Sequence, residues 1–152
     1  MATTRADAVI DALVAALSAD ITLAGLVWDG PPITGDPLPE VVTIGFDFDE
    51  DDDTAADIRQ EYHDLGPAAR RDEVIDIRCA AMSSNGDADI AAARARAAVL
   101  LGAVESVLRA NPSLGVTESM RTEVSLGTLR QSQSSEGAAA IVQFTVTATL
   151  LI

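Results

Sequence analysis

Six acids fall within the seven residues 47–53, in the stretch FDFDEDDDTAADI. Carboxylates at that density can hold a hard cation, serve as a general acid and base, or stand in water as a repelling surface. Spacing tests the first use. Asp47, Asp49 and Asp51 match the first three oxygen positions of a calcium loop. The position that needs glycine for a sharp turn is Asp52, however, and the one that supplies a bidentate glutamate is Ile58. No metal ion is expected there. General acid–base work needs two carboxylates in different surroundings, so that one stays protonated. Acids crowded in one polar run share their surroundings. The expectation is a solvated loop in which Asp47, Asp49, Glu50, Asp51, Asp52 and Asp53 form a diffuse field.

Other reactive side chains are few. His63, in EYHDLG, is the sole histidine, and Asp64 beside it could orient it. A triad also needs a nucleophile, and no G-x-S-x-G turn occurs in the chain. Cys79 is the only cysteine and falls inside a strand pattern, so it reads as a small apolar residue. It excludes an internal disulfide and a cysteine-based zinc site. The glycines of GPP, GDP and NGD mark turns, with no phosphate-binding pattern. Catalytic residues, metal ligands and cofactors are therefore all expected to be none. Arg70, Arg71, Arg121 and Arg130 could clamp a phosphate, but in so acidic a chain they are expected to pair with acids of this or a neighbouring copy.

The bulk properties agree. The chain has 152 residues and a net charge of −14, and all ten of its basic residues are arginine. Nucleic-acid binding calls for a basic stripe, and none is visible; a chain this acidic repels DNA. Hydrophobic residues make up 48% but aromatic ones only 3%, so the core must be aliphatic. The start, MATTRADAVIDALVAALSAD, interrupts its apolar positions with acids, unlike a signal peptide. No apolar run approaches the ~18 residues of a membrane span. One domain over residues 1–152 is expected, with an acidic irregular loop at 47–72.

The elements that must carry these residues follow from periodicity. Thr4 and Asp7 suggest a capped start to a helix whose Val9, Leu13, Ala16 and Leu17 share a face. WDGPPITGDPLP holds four of the six prolines and reads as a connection. EVVTIGF is a buried strand, and VIDIRCAAM is a second, with Ile75, Ile77, Cys79 and Ala81 on one side and Asp76 and Arg78 on the other. Residues 87–110 predict a helix of roughly 36 Å, with Ile90, Ala93, Ala97, Leu100, Leu101, Val104 and Leu108 along one stripe. SMRTEVSLGTLR and AAAIVQFTVTATLLI alternate around a polar turn and read as a long C-terminal hairpin. Together these predict an α+β fold: a mostly antiparallel four-stranded sheet, with the N-terminal helix and the long helix packed on it.

That layout resembles the tail terminator (tail-completion or minor tail) proteins of long-tailed bacteriophages. The resemblance rests on ADAVIDALVAAL, on VWDGPP leading into VVTIGF, on the unit DEVIDIRCAAMSSNGDADIAAARARAAVLLGAVESVLRANPSLG, and on GAAAIVQFTVTATLLI. It implies a non-enzymatic virion protein: a ring, usually a hexamer, at the head-proximal end of the tail, assembled in the host cytoplasm. Such a ring caps the tail tube protein, meets the connector or neck protein, and lets DNA pass without binding it. No residue role is inherited from the resemblance. The acids of 47–53 are expected to face the lumen or rim. The hairpin is expected to meet a neighbour or the tube through Arg121, Arg130, Gln131, Gln133, Glu136, Gln143, Thr145 and Thr147. The alternatives are a head–tail connector protein or, from another class, a small metal-binding or hydrolytic domain using the acids.

Overall fold

A computed structural model describes residues 3–33, 38–63 and 70–152. In chain order these form α1 (Ala6–Ser18), β1 (Val27–Asp29), β2 (Glu40–Ile44), β3 (Ala56–Tyr62), β4 (Arg71–Asn85), α2 (Ile90–Ala110), β5 (Arg121–Ser134) and β6 (Gly137–Leu151). The expected turns at 34–37, together with Asp64, lie outside the described residues.

The sheet is six-stranded and mixed, which corrects the expected four-stranded, mostly antiparallel one. Its order is β1-β2-β4-β6-β5, with β3 also paired to β4. β1 runs parallel to β2, and the remaining pairs are antiparallel. The two additional strands lie at the rim. β1 has three residues and sits at the start of the proline-rich connection. β3, ADIRQEY, is largely exposed, so it carries almost none of the apolar alternation that burial imposes on a strand. It also replaces part of the irregular loop expected at 47–72.

Both helices cover one face of the sheet. Val9, Leu13 and Leu17 of α1 are buried, as are Ala93, Ala97, Leu100, Leu101, Val104 and Leu108 of α2. They meet Ile75, Ile77, Cys79 and Ala81 of β4 and Phe144, Val146, Ala148 and Leu150 of β6, all buried. The period of two in each strand put these residues on one side. Asp89 caps α2 by accepting from the Ala92 amide at 3.1 Å, and Asn85 closes around Asp89 from both sides. The helix therefore starts three residues later than periodicity alone implies. α1 is capped differently from expectation. Thr4 Oγ1 accepts from the Ala6 amide, but the backbone amide of the N-cap residue Arg5 donates to Glu73, a fully buried residue of β4. Glu73 also accepts from Gln60 Nε2. A carboxylate suits a helix N-terminus because the amide dipoles there point their positive ends at it.

Candidate functional site

The acidic stretch is an insertion in an edge. β2 and β3 run in the same direction, end to end, along one side of β4. Ile44 is opposite Cys79 and Ala56 is opposite Ile77, so Arg78 is the single β4 residue between them. Its carbonyl accepts from the Gly45 amide at 2.7 Å, and its amide donates to the Ala55 carbonyl at 2.9 Å. Residues 46–54 thus leave and rejoin the edge at one point, an Ω-like loop with adjacent ends. Gly45 has φ +78°, a turn that glycine makes without steric cost.

The loop is built from its own acids. Asp47 Oδ1 accepts from the Asp49 amide, Asp49 Oδ1 from Asp51, and Asp52 Oδ1 from Thr54, three successive side-chain turns. Phe46 and Phe48 lie 4.8 Å apart, with Phe48 at φ 63°. The rest of the fold holds the loop against the helix-free face. Thr43 Oγ1 donates to the Phe46 carbonyl, and Gln143 Nε2 reaches from β6 to the Asp47 carbonyl at 2.6 Å. Beneath it Val41, Thr43 and Ala80 are fully buried.

The acids therefore do not share one environment. Asp47, Asp49 and Asp52 are half-buried, whereas Glu50, Asp51 and Asp53 are exposed. Arg78 donates to Asp52 at 2.5 Å and to Asp57 at 3.4 Å. Hydrogen bonds from the Thr54 hydroxyl and amide, and then Arg78, hold the Asp52 carboxyl down at about 2. Along the sequence, no basic residue lies within the run. Arg78 lies 26 positions from Asp52, and only the β4 pairing brings them together.

The hairpin residues divide between the two faces. Arg121, Gln143, Thr145 and Thr147 belong to the helix-free side, where Thr147 Oγ1 donates to Asp76 at 2.7 Å. Gln131 and Gln133 are on the helix side: Arg94 donates to Gln131 at 3.2 Å and Gln133 Nε2 to the Ala88 carbonyl at 2.5 Å. Arg130, opposite Ile141, faces the acids, and a cleft of about 400 Å³ runs between Asp49, Glu50, Asp51 and Arg130. Part of the acidic set and part of the hairpin set thus share one groove. The turn itself is shorter than the polar composition implies. Residues up to Ser134 remain in β5, leaving Ser135 and Glu136 as its tip.

No catalytic constellation is assembled among the described residues. His63 contacts Asp72 at 2.8 Å on the surface, and burial pushes the Cys79 thiol up to about 12. No group of three or more histidine, cysteine or acidic side chains among them is placed to hold a metal. No described helix is long and apolar enough to cross a membrane. Among the described residues, the arginines that pair with acids are Arg59, Arg78 and Arg96. Arg121 instead donates to the carbonyls of Glu118 and Met120, and Arg71 lies 5.7 Å from the Tyr62 ring centroid. Among the described residues, neither Arg71 nor Arg121 forms an ion pair with an acid of its own chain. Arg96 and Glu40 join α2 to β2 through two contacts of 2.8 Å, and the Arg96 guanidinium lowers the Glu40 carboxyl below its ordinary value.

No family model matches the sequence, and no curated protein matches it. Among solved structures, the chain is similar to a chain from "Virion of native gene transfer agent (GTA) particle". The two share 17% identity and a TM-score of 0.52, over 97% of this chain and 99% of the other. At that identity the likeness is one of fold, and it runs nearly the full length of both chains.

Proposed function

We propose that this chain is a structural, non-enzymatic virion protein of the tailed-phage type, forming a homomeric ring that caps the tail tube. The observation that carries the reading is the end-to-end fold correspondence with a chain of a virion particle. The helix-free face adds to it: a polar sheet surface overlaid by a pinned acidic loop fits a wall that DNA passes without adhering. In this reading the ring is a hexamer at the head-proximal end of the tail. It contacts the tail tube protein on one side and the connector protein on the other.

Two measurements test it. Mass determination with electron microscopy of the purified protein is expected to find annular particles; a strictly monomeric protein sinks the ring. Replacing Asp47, Asp49, Asp51, Asp52 and Asp53 by Asn and Glu50 by Gln is expected to leave the sheet folded and to slow DNA ejection, most strongly at low salt, where charges act over the longest distance. Ejection that is unchanged across salt concentrations removes the electrostatic role. Micromolar calcium or magnesium binding by calorimetry would favour the metal-site alternative.

A further inference from the structure

The sheet has two long unpaired edges among the described residues: β5 pairs only with β6, and β3 only with β4. Unpaired strand edges are templates for another strand, and proteins that do not use them normally blunt them. Alongside their charges, these two carry exposed apolar groups. Ile58 and Tyr62 of β3 and Leu126 and Leu129 of β5 are 46%, 60%, 67% and 51% exposed. All four are on the helix side, because Ile58 is opposite buried Ile75, Leu126 opposite buried Phe144, and Leu129 opposite Val142, while Tyr62 is two pairs beyond Gln60 and buried Glu73.

The edges also match in level and direction. The row Ile58–Ile75–Ala148–Thr122 crosses the sheet from one edge to the other, and β3 and β5 are antiparallel to each other across it. Extending the same ring reading, we infer that β5 of one copy pairs antiparallel with β3 of the next, with Arg121 opposite Glu61, Glu123 opposite Arg59 and Val124 opposite Ile58. Charge selects this register. A level junction would set Arg121 beside Arg59 and Glu123 beside Asp57, both like-charged, and like charges directly opposite destabilise a strand pair. A shift of one residue would turn every apolar side chain to the wrong face. A two-residue shift keeps the faces, and in this direction it forms two opposite-charge pairs on the polar side and an aliphatic pair on the helix side. The opposite shift matches only Arg121 with Asp57 and carries most of β3, from Ile58 to Tyr62, past the start of β5. The register break between Leu126 and Leu129 then falls beyond the paired segment, where a bulge commonly ends pairing.

The contact is head-to-tail, since the two surfaces differ, and such a contact closes into a ring when its rotation permits. A constant stagger between neighbours is also what closure of a sheet requires.

The test is a charge exchange at exposed positions, with assembly followed by native mass spectrometry and folding by circular dichroism. Arg121→Glu and Glu61→Arg are each expected to raise the concentration for half-assembly by about tenfold. The double exchange is expected to restore most of the loss. Singles that assemble like the unaltered chain, or a folded double that stays impaired, overturn the edge pairing while leaving the ring intact. An unaltered chain that never assembles removes the ring reading and the pairing with it.

Discussion

The two faces of β4 are held by different forces. Ile75, Ile77, Cys79 and Ala81 point toward the helices and are all fully buried in an aliphatic core. Asp76 and Arg78, interleaved with them, point into a polar layer in which Arg59, Thr147, Asp52 and Asp57 supply the partners. One strand thus joins a face stabilised by area removed from water to a face stabilised by directed contacts. The first depends on how much apolar area leaves water and how closely it packs; the second depends on individual atoms being in reach. Function of the proposed kind needs both: a rigid support and a surface whose charge sits in a fixed place.

Adjacent residues on this strand give the sharpest contrast. Ile77→Ala, on the helix side, is expected to destabilise the fold by ~2–5 kcal/mol, read from chemical denaturation, because it opens a cavity that the surrounding core fills only in part. Arg78→Met, one position later, is expected to lose about 1 kcal/mol or less, since its ion pairs are partly exposed. Its effect is local: hydrogen exchange at the amides of residues 47–54 should accelerate while that of β4 and β6 stays protected. If Arg78→Met proves as costly as Ile77→Ala, the division between the faces is wrong.

Acid offers a reversible version of the same comparison. The Asp52 carboxyl is held at about 2, below its ordinary value of 3.8, so its contribution is present above the ordinary value and is lost as pH falls through the lowered one. Loop amide protection in the unaltered chain is expected to persist at pH 4 and to fall toward pH 2. In Asp52→Asn that acid step should be missing. The smallest effect is expected for Asp53→Asn, an exposed acid, with stability within ~0.5 kcal/mol of the unaltered chain. A larger change would place Asp53 in the anchored set.

Where burial imposed a period, the sequence was legible. The stripes of α1 and α2 and the alternation of β4 and β6 put the predicted residues in or against the core, except Ile90, which stays partly exposed at the first turn of α2. β3 was missed because an exposed edge strand is under no such constraint, and Ile58 and Tyr62 stand four apart in a run of polar residues. β1 was missed because three residues hold too little pattern beside prolines. The site was read half-way: its acids were found, but their separation into anchored and free members was not. Nor was Glu73 foreseen as the acceptor at the start of α1, since a lone acid in a strand pattern gives no sign of what it meets.

The amino-acid order alone determined the apolar stripes of α1, α2, β4 and β6, because the period of a helix or strand is a local property of the backbone. It also determined the charge of the molecule and the absence of any basic stripe. Only the tertiary structure decided that β2 and β3 share one edge of β4 with Arg78 between them, that Asp52 finds this arginine, and that β3 and β5 are unpaired edges with exposed apolar side chains. Those facts arise from contacts between distant segments, where no local period constrains which residues meet.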